Sequence, residues 1–405
     1  MLPPFSKAPR TVMPNEMRRD DGRRNTEFDG KEPYIMEKIR GANLGNWLVL
    51  EKWMEPDLFE DIGVEDETWL VRKMDQAALA ERMKKHRDTY VTEADFAALA
   101  DHGVNLARIP VPYFIFGDRP PFIGCVEYLD MAFEWAKKYN IQIMIDLHTC
   151  PGSQNGYDNG GLTGVCKWCK DPKEVEFELT VLERLAQRYG EHPNLYGIEV
   201  LNEPISWLVY ITAPSTGKAE DKEEAKGSGH VPMPFLKQFY RDAYRRLRAI
   251  LPKEKVIVFH DGFRLGAWKD FFVQEGMENV VLDTHIYVFA MENFVPIHQP
   301  WVYQIYINSQ KKAVEKAARY TPVIVGEWCI SNKYALAGKT KEEKSRRFME
   351  LSQKQLEAWS VSAGFIYWNY QLRRDLSIHM DLEWKDSWDL RRCWKENWMP
   401  SFDKI

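Results

Sequence analysis

Short apolar runs recur along the chain, and a longer segment with helical periodicity separates most of them from the next run. The runs are apolar on both of their faces, as is typical of strands buried in a parallel sheet. Between them, apolar residues recur at spacings of three and four, which predicts amphipathic helices that often end in Gly or Asn. The predicted strands are 39–46, 104–111, 141–148, 195–203, 255–261, 280–287, 322–328 and 364–370, and the predicted helices include 92–103, 126–140, 175–190, 235–251 and 344–363.

Eight strand–helix units predict an α/β fold whose parallel sheet closes into a (β/α)8 TIM barrel, in a single domain. The alternative is an open, doubly wound sheet. That fold favours a glycine-rich phosphate loop of the GxGxxG or GxxxxGK[ST] type, and the chain has neither motif. We expect an irregular N-terminal tail over residues 1–33 and the barrel over residues 34–405, with long loops at 149–171 and 205–233.

Polar side chains gather at the carboxyl ends of the predicted strands. Because a barrel enzyme takes its catalytic residues from several strand ends, we expect these side chains to surround one mouth. They include Asn43, Asn46, Arg108, Asp146, His148, Asn202, Glu203, His260, Asp261, His285, Tyr287, Glu327, Trp368 and Asn369.

Two glutamates, Glu203 and Glu327, follow buried runs and could form an acid/base pair. Such a pair can cleave a glycosidic bond: one carboxylic acid protonates the departing oxygen while the other, ionised, attacks the anomeric carbon. Arg108 and Tyr287 could donate hydrogen bonds to Glu327, and Asn202 could bind the sugar's 2-hydroxyl. A metal-dependent barrel hydrolase would more typically show paired His ligands on one strand, which are missing.

The amino-acid composition limits the kinds of molecule that we expect the protein to bind. The chain of 405 residues holds 15 Trp, 18 Tyr and 20 Phe, which either fill the core or stack on sugar rings. A net charge of −5 gives no reason to expect nucleic acid or a membrane as partner.

The N-terminus lacks a secretory signal, so we expect a cytoplasmic protein unless a leader has been removed. Free thiols are expected, although zinc binding or pairing by Cys150, Cys166 and Cys169 stays open.

Seven segments occur in an order that resembles glycoside hydrolase family 5, and within it the exo-β-1,3-glucanase branch: RGANLGNWLVLE, GVNLARIPVPY, IDLHTCPGSQNGYDNGG, YGIEVLNEP, LDTHIYVF, VIVGEW and FIYWNY. The resemblance spans residues 38 to 390 and implies a retaining mechanism on a (β/α)8 barrel. It implies that Glu203 is the acid/base and Glu327 the nucleophile. The residues implied to bind substrate are Glu51, Arg108, His148, Tyr157, Asp158, Asn159, Asn202, His285, Tyr287 and Trp368.

The chain also departs from that branch. The branch usually has a leader and disulfides, and it flanks the outer sugar site with two aromatic residues; Tyr157 stands for one, and Phe289 lies one place out of register with the other. The segment after Trp368 differs as well.

Taken with the two glutamates, the resemblance leads us to expect a retaining β-glycosidase without cofactor or metal. We expect it to act from the non-reducing end of short β-glucans, oligosaccharides or glucosides. The alternatives are an endo-β-1,4-glucanase or β-mannanase of the same family and a non-catalytic carbohydrate-binding barrel. The oligomeric state stays open.

Overall fold

A computed structural model describes residues 38–212, 216–377 and 383–405. Eight parallel strands close into a barrel in which each strand pairs with its neighbours in chain order and β8 returns to β1. This confirms the predicted TIM barrel. The strands are β1 (Ile39–Asn43), β2 (Leu106–Val111), β3 (Gln142–Leu147), β4 (Leu195–Glu199), β5 (Val256–His260), β6 (Val280–His285), β7 (Val323–Trp328) and β8 (Gly364–Tyr367).

The five helices named from the sequence all form, with ends shifted by a few residues, and further helices join them. Those without a counterpart among the five include α2, whose first turn is capped by the carboxylate of Asp75, and α11, which starts at a proline. The helices are α1 (Glu67–Lys73), α2 (Gln76–Tyr90), α3 (Glu93–Asp101), α4 (Val126–Tyr139), α5 (Pro172–Tyr189), α6 (Trp207–Thr212), α7 (Lys222–Ala225), α8 (Met233–Arg248), α9 (Phe271–Gln274), α10 (Val288–Met291), α11 (Pro300–Ala317), α12 (Lys333–Leu336), α13 (Lys341–Trp359), α14 (Glu383–Asp386) and α15 (Leu390–Lys395).

The fourth strand is shorter than predicted, because it ends at Glu199 and not at Glu203. The backbone still follows its neighbours for a few residues, since the Asn202 amide donates to the Leu147 carbonyl at 3.0 Å. Glu203 then adopts a left-handed backbone conformation with φ of 45°, which is unfavourable for a residue other than glycine. Glu203 therefore belongs to a turn beyond the strand, and that turn sets the direction of its side chain.

A glycine in β7 makes room for a buried carboxylate inside the barrel. A Cβ atom at Gly326 would lie 1.9 Å from Oδ2 of Asp283, so no other residue fits without displacing that side chain. The Gly326 amide instead donates to Oδ1 of Asp283 at 2.7 Å. Asp283 is thereby fixed in the barrel interior, directly beside the residue that precedes Glu327.

Both predicted long loops contain short helical segments. The loop at 149–171 holds two 3-10 turns, at Asp158–Gly160 and Trp168–Lys170. The loop at 205–233 holds α6 and α7, and α7 is tied to α1 by an ion pair between Arg72 and Glu224 at 2.7 Å. The predicted tail over residues 1–33 lies outside the described residues.

All six cysteines are free thiols. Cys125, Cys150, Cys166, Cys329 and Cys393 are buried, and burial raises the pKa of each of these thiols. Of the helices in the described ranges, none combines the length and the hydropathy that a membrane span requires.

Candidate active site

The guanidinium of Arg108, in β2, binds carboxylates from three other strands at the mouth of the barrel. Its Nε donates to Glu199 at 2.8 Å, Nη1 donates to Glu327 at 3.0 Å, and Nη2 lies 3.1 Å from Asp146. The same group also donates to the side-chain oxygen of Asn202 at 2.9 Å. All of these side chains are buried, and a buried charge is stable only when it is paired in this way. Arg108 therefore fixes Glu327 and Asn202 relative to each other.

Glu327 lies in β7 and is 3 % exposed. Its Oε1 accepts the hydrogen bond from Arg108, and its Oε2 accepts one from the Tyr287 hydroxyl at 2.7 Å. Burial raises the pKa of Glu327, against the attraction of His285 and Arg108. Two donors thus hold the carboxylate in a fixed orientation, as the sequence predicts for Arg108 and Tyr287.

Glu203 is held by a different set of donors. Its Oε1 lies 2.8 Å from Nδ1 of His285, and its Oε2 accepts a hydrogen bond from the Asn159 amide at 2.9 Å. Although burial opposes it, the hydrogen bonds from His285 and Asn159 hold the pKa of Glu203 below its ordinary value. Asn159 belongs to the long loop after β3, so that loop directly orients this carboxylate.

One imidazole bridges the two glutamates. Nδ1 of His285 lies 2.8 Å from Glu203 and 3.3 Å from Glu327, which limits the separation of the two carboxylate oxygens to ~6 Å. On its other side, Nε2 of His285 lies 3.5 Å from Asp283. Although burial opposes the charge, the carboxylates of Glu327, Asp283 and Glu203 raise the pKa of His285 well above its ordinary value. The carboxylates around His285 therefore favour the protonated form of its imidazole.

Glu51 follows β1 and forms a further part of the same site. Its Oε2 accepts a hydrogen bond from the Trp53 indole at 2.8 Å, whereas its buried Oε1 has no hydrogen-bond partner among the described residues. Burial, reinforced by the charge of Asp158, raises the pKa of Glu51 well above its ordinary value, and burial raises the pKa of Asp158 to about 6. The charges of Glu327 and Glu203 also raise the pKa of Glu51, so these carboxyl groups belong to one site.

Asn202, His148 and Trp368 form a contiguous wall. The Asn202 amide lies 3.3 Å from Nε2 of His148, whose Nδ1 contacts Asp146. The rings of His148 and Trp368 are parallel within 9°, with centroids 5.6 Å apart. A Cβ atom on Gly45 would lie 2.8 Å from the Trp368 ring, so this close approach requires glycine. Trp368 precedes a cis peptide bond to Asn369.

The remaining predicted aromatic contacts lie at the edge of this cleft. Tyr157 is half-buried, and burial together with the charge of Glu203 raises the pKa of its hydroxyl. Phe289 packs against the rings of Tyr287 and Trp388, at centroid distances of 5.3 and 5.2 Å, and these two rings also contact each other. The structure thus brings the predicted site residues together around Glu203 and Glu327.

Four residues of this region were not predicted as site residues. Glu199 and Asp283 complete the buried charge network, and Trp53 and Trp388 contribute to the aromatic edge. Asp283 could have been found, because residues two apart in a strand share a face and His285 was already a candidate. Trp388 carried no such signal, since it lies far along the chain from every predicted strand.

Two groups of buried side chains have the spacing to hold a metal ion. Glu203, His260 and His285 form one, and Glu199, Asp283 and His285 form the other, with ligand atoms within 4.8 Å of one another. In both groups the carboxylates already bind cationic donors, Arg108 or His285. A metal in either group would take His285 as one of its ligands and would compete with the contacts of that imidazole with Glu203 or Asp283. The absence of a resident metal stays a prediction.

The chain is similar to known proteins along most of its length. The model of the cellulase family, glycosyl hydrolase family 5, matches residues 72–370. The chain is 32 % identical over 385 residues to the probable glucan 1,3-beta-glucosidase A of Emericella nidulans, covering 83 % of this chain and 86 % of that protein. It is 28 % identical over 423 residues to the glucan 1,3-beta-glucosidase of Kluyveromyces lactis, covering 91 % and 89 %. The rutinosidase of Aspergillus niger shares the fold, with a TM-score of 0.70, 24 % identity and coverage of 90 % and 98 %.

Proposed function

The chain belongs to glycosyl hydrolase family 5, and we propose that it is a retaining β-glucosidase that removes glucose from the non-reducing end of short β-1,3-glucans, oligosaccharides or glucosides. The observation that carries this proposal is the pair Glu203 and Glu327, which one imidazole holds within ~6 Å. Retaining glycosidases place their two carboxyl groups roughly 5 Å apart, whereas inverting enzymes need a wider gap to admit water. The names of the curated relatives support β-1,3-glucosides as the substrate class.

We assign the nucleophilic role to Glu327 and the acid/base role to Glu203. Glu327, oriented by Arg108 and Tyr287, attacks the anomeric carbon and forms a covalent glycosyl-enzyme. Glu203 protonates the departing oxygen in this first step and deprotonates the incoming water in the second. Asn202 has one amide hydrogen beyond that facing His148, and this hydrogen binds the 2-hydroxyl of the sugar.

The acid role requires a proton on Glu203, although the pKa of Glu203 is lowered in the unliganded site. His285 supplies it, because moving one proton from Nδ1 to Oε1 across their 2.8 Å contact leaves the total charge of the group unchanged. The active form of the enzyme is therefore the one in which His285 and Glu203 together hold this proton. Asp283 stabilises that form through its negative charge on the far side of the ring.

Substituting Asp283→Asn is expected to move the alkaline limb of the pH–rate profile toward lower pH, by about one unit or more. The variant removes a buried negative charge that raises the pKa of His285, so the shared proton is lost at lower pH. A profile of kcat/KM for an aryl β-glucoside measures this shift. Asp130→Asn, at an ion pair on α4 remote from the mouth, is the control and should leave the limb in place. An unchanged or alkaline-shifted limb in Asp283→Asn would refute the proton-holding role.

The proposed exo mode rests on the buried carboxyl group of Glu51. Oε1 of Glu51 is buried and unpartnered within the described part of the chain, as expected for a group that binds a sugar hydroxyl. Burial raises the pKa of Glu51 and so favours its protonated form, which can both donate to and accept from that hydroxyl. Binding of the terminal sugar at Glu51 would close this end of the cleft.

Product analysis tests the proposed function. With laminari-oligosaccharides reduced at their reducing end, we expect glucose as the first product, together with a chain one unit shorter. Parallel reactions with cello- and gentio-oligosaccharides measure the linkage preference, which we expect to favour β-1,3 bonds. An endo-acting glucanase or mannanase would instead release internal fragments first, and that result would contradict the exo mode. A pure carbohydrate-binding barrel would release nothing.

The expected cytoplasmic location stays a prediction from the sequence.

A further inference from the structure

Helix α6 is apolar on every side, yet none of its residues is buried. Trp207, Leu208 and Ile211 are 57 %, 60 % and 47 % exposed. A short helix with this composition is normally covered, because exposing large apolar side chains to water is unfavourable. A cluster of such side chains is typical of a surface that binds another apolar group.

A second segment also exposes several large apolar side chains. Phe294, Ile297, Trp301 and Ile305 lie between α10 and the second turn of α11, and they are 49 % to 74 % exposed. The only Asp, Glu, Lys or Arg in residues 286–305 is Glu292. Its Oε1 accepts hydrogen bonds from the Tyr303 hydroxyl and from the Lys333 backbone amide, so the carboxylate is already occupied. Residues 204–212 contain no charged side chain at all.

Both segments border the mouth of the barrel. Helix α6 begins four residues after Glu203, and the Ile205 amide donates at 3.1 Å to the carbonyl of Gln154, whose side chain donates to the Asn202 carbonyl. In α11, the Tyr306 hydroxyl donates at 3.4 Å to the carbonyl of Tyr287. These segments follow β4 and β6, which are separated only by β5, so they belong to the same sector of the rim.

We propose that these two segments bind a long apolar aglycone, so that the substrates of this enzyme include β-glucosides of alkyl or lipid-like alcohols. We call Trp207, Leu208, Ile211, Phe294, Ile297, Trp301 and Ile305 the apolar rim. The inference rests on the proposed function, in which Glu203 protonates the departing oxygen. The leaving group must therefore lie beside Glu203, next to the start of α6.

The chemistry of the apolar rim favours contact with a hydrocarbon over contact with a sugar. A sugar would be bound by hydrogen-bonding groups around an aromatic platform. Leu208, Ile211, Ile297 and Ile305 offer no hydrogen-bonding side chain, and they extend the apolar surface beyond the two tryptophans. Such a surface gains binding free energy with each methylene group that it covers.

The test compares kcat/KM for octyl and methyl β-glucoside, both kept below the concentration at which octyl glucoside forms micelles. Complete burial of one methylene group changes an equilibrium by roughly fourfold, so partial coverage of the chain predicts an octyl-to-methyl ratio of about ten or more. In the double variant Trp207→Ser/Leu208→Ser we expect this ratio to fall at least threefold, because part of the apolar surface is lost. Met131→Ser, at a 42 % exposed apolar position on α4, is the matched control and should keep the wild-type ratio.

An octyl-to-methyl ratio near one in the intact enzyme would overturn the proposal. The apolar rim would then be covered by another group, such as the N-terminal residues or a second copy of the chain. An equal ratio in the double variant and the wild type would overturn it too, as would a dimer in sedimentation that the double variant dissociates. The proposed function is tested separately: if Glu327→Ala hydrolyses methyl β-glucoside as fast as the wild type, the catalytic assignment fails. If hydrolysis depends on Glu327 but the ratio is flat, only the aglycone inference fails.

Discussion

Replacing Glu327 with alanine is expected to lower turnover of an aryl β-glucoside by about three orders of magnitude or more, while sugar binding largely survives. The variant removes the carboxylate that Arg108 and Tyr287 hold in a fixed orientation. The covalent step is lost, because this carboxylate is the group that attacks the anomeric carbon in the proposed mechanism. Turnover is measured from the released phenol, and binding from the change in intrinsic fluorescence on titration with glucose.

Two further variants separate loss of the nucleophile from other effects of the substitution. Glu327→Gln preserves the shape of the side chain and should lose turnover to a similar degree, which separates loss of the nucleophile from a folding defect. Glu350→Ala removes an ion pair with Lys354 at 3.1 Å on α13 and should behave as the wild type. If Glu327→Ala or Glu327→Gln turned over at the wild-type rate, the nucleophile would have to be sought elsewhere.

Replacing Glu203 with alanine should produce a loss that depends on the leaving group. An activated aryl glucoside departs without a proton, so formation of the glycosyl-enzyme should be largely spared. Hydrolysis of an alkyl glucoside or an oligosaccharide should fall by about two to four orders of magnitude. The second step also slows, since no base activates the attacking water.

Added azide should restore turnover of the activated substrate by Glu203→Ala, because azide attacks the glycosyl-enzyme without needing a base. The product should be β-glucosyl azide, which NMR identifies. In Glu327→Ala no glycosyl-enzyme forms, so azide can only displace the leaving group directly and give α-glucosyl azide, and the anomeric configuration of the product therefore distinguishes the two variants. Equal losses for good and poor leaving groups, with no gain from azide, would remove the acid/base role from Glu203.

The barrel could be predicted from the sequence because its strands are buried on both faces and therefore stand out as apolar runs. The ends of the strands were harder to place. Residues 195–203 form one continuous pattern, yet the ladder stops at Glu199 and Glu203 turns into a left-handed conformation. Sequence patterns report burial, whereas strand ends depend on the hydrogen bonds of neighbouring strands.

The site was predictable where its residues follow apolar runs, as Arg108, His285 and Glu327 do. What the sequence could not supply was the network between strands. Glu199 sits inside an apolar run, and only the fold shows that Arg108 compensates its charge. The contact of His285 with both glutamates joins three separate strand ends and has no signature along the chain.

The most direct test of the account is the position at which a trapped sugar becomes attached. A 2-deoxy-2-fluoro-β-glucoside with an activated leaving group should inactivate the enzyme, because the fluorine slows both steps and the leaving group selectively rescues the first. Peptide mass spectrometry should then find one fluoroglucosyl group on Glu327 and none on Glu203. Attachment to any other residue would contradict the assignment of Glu327 as nucleophile.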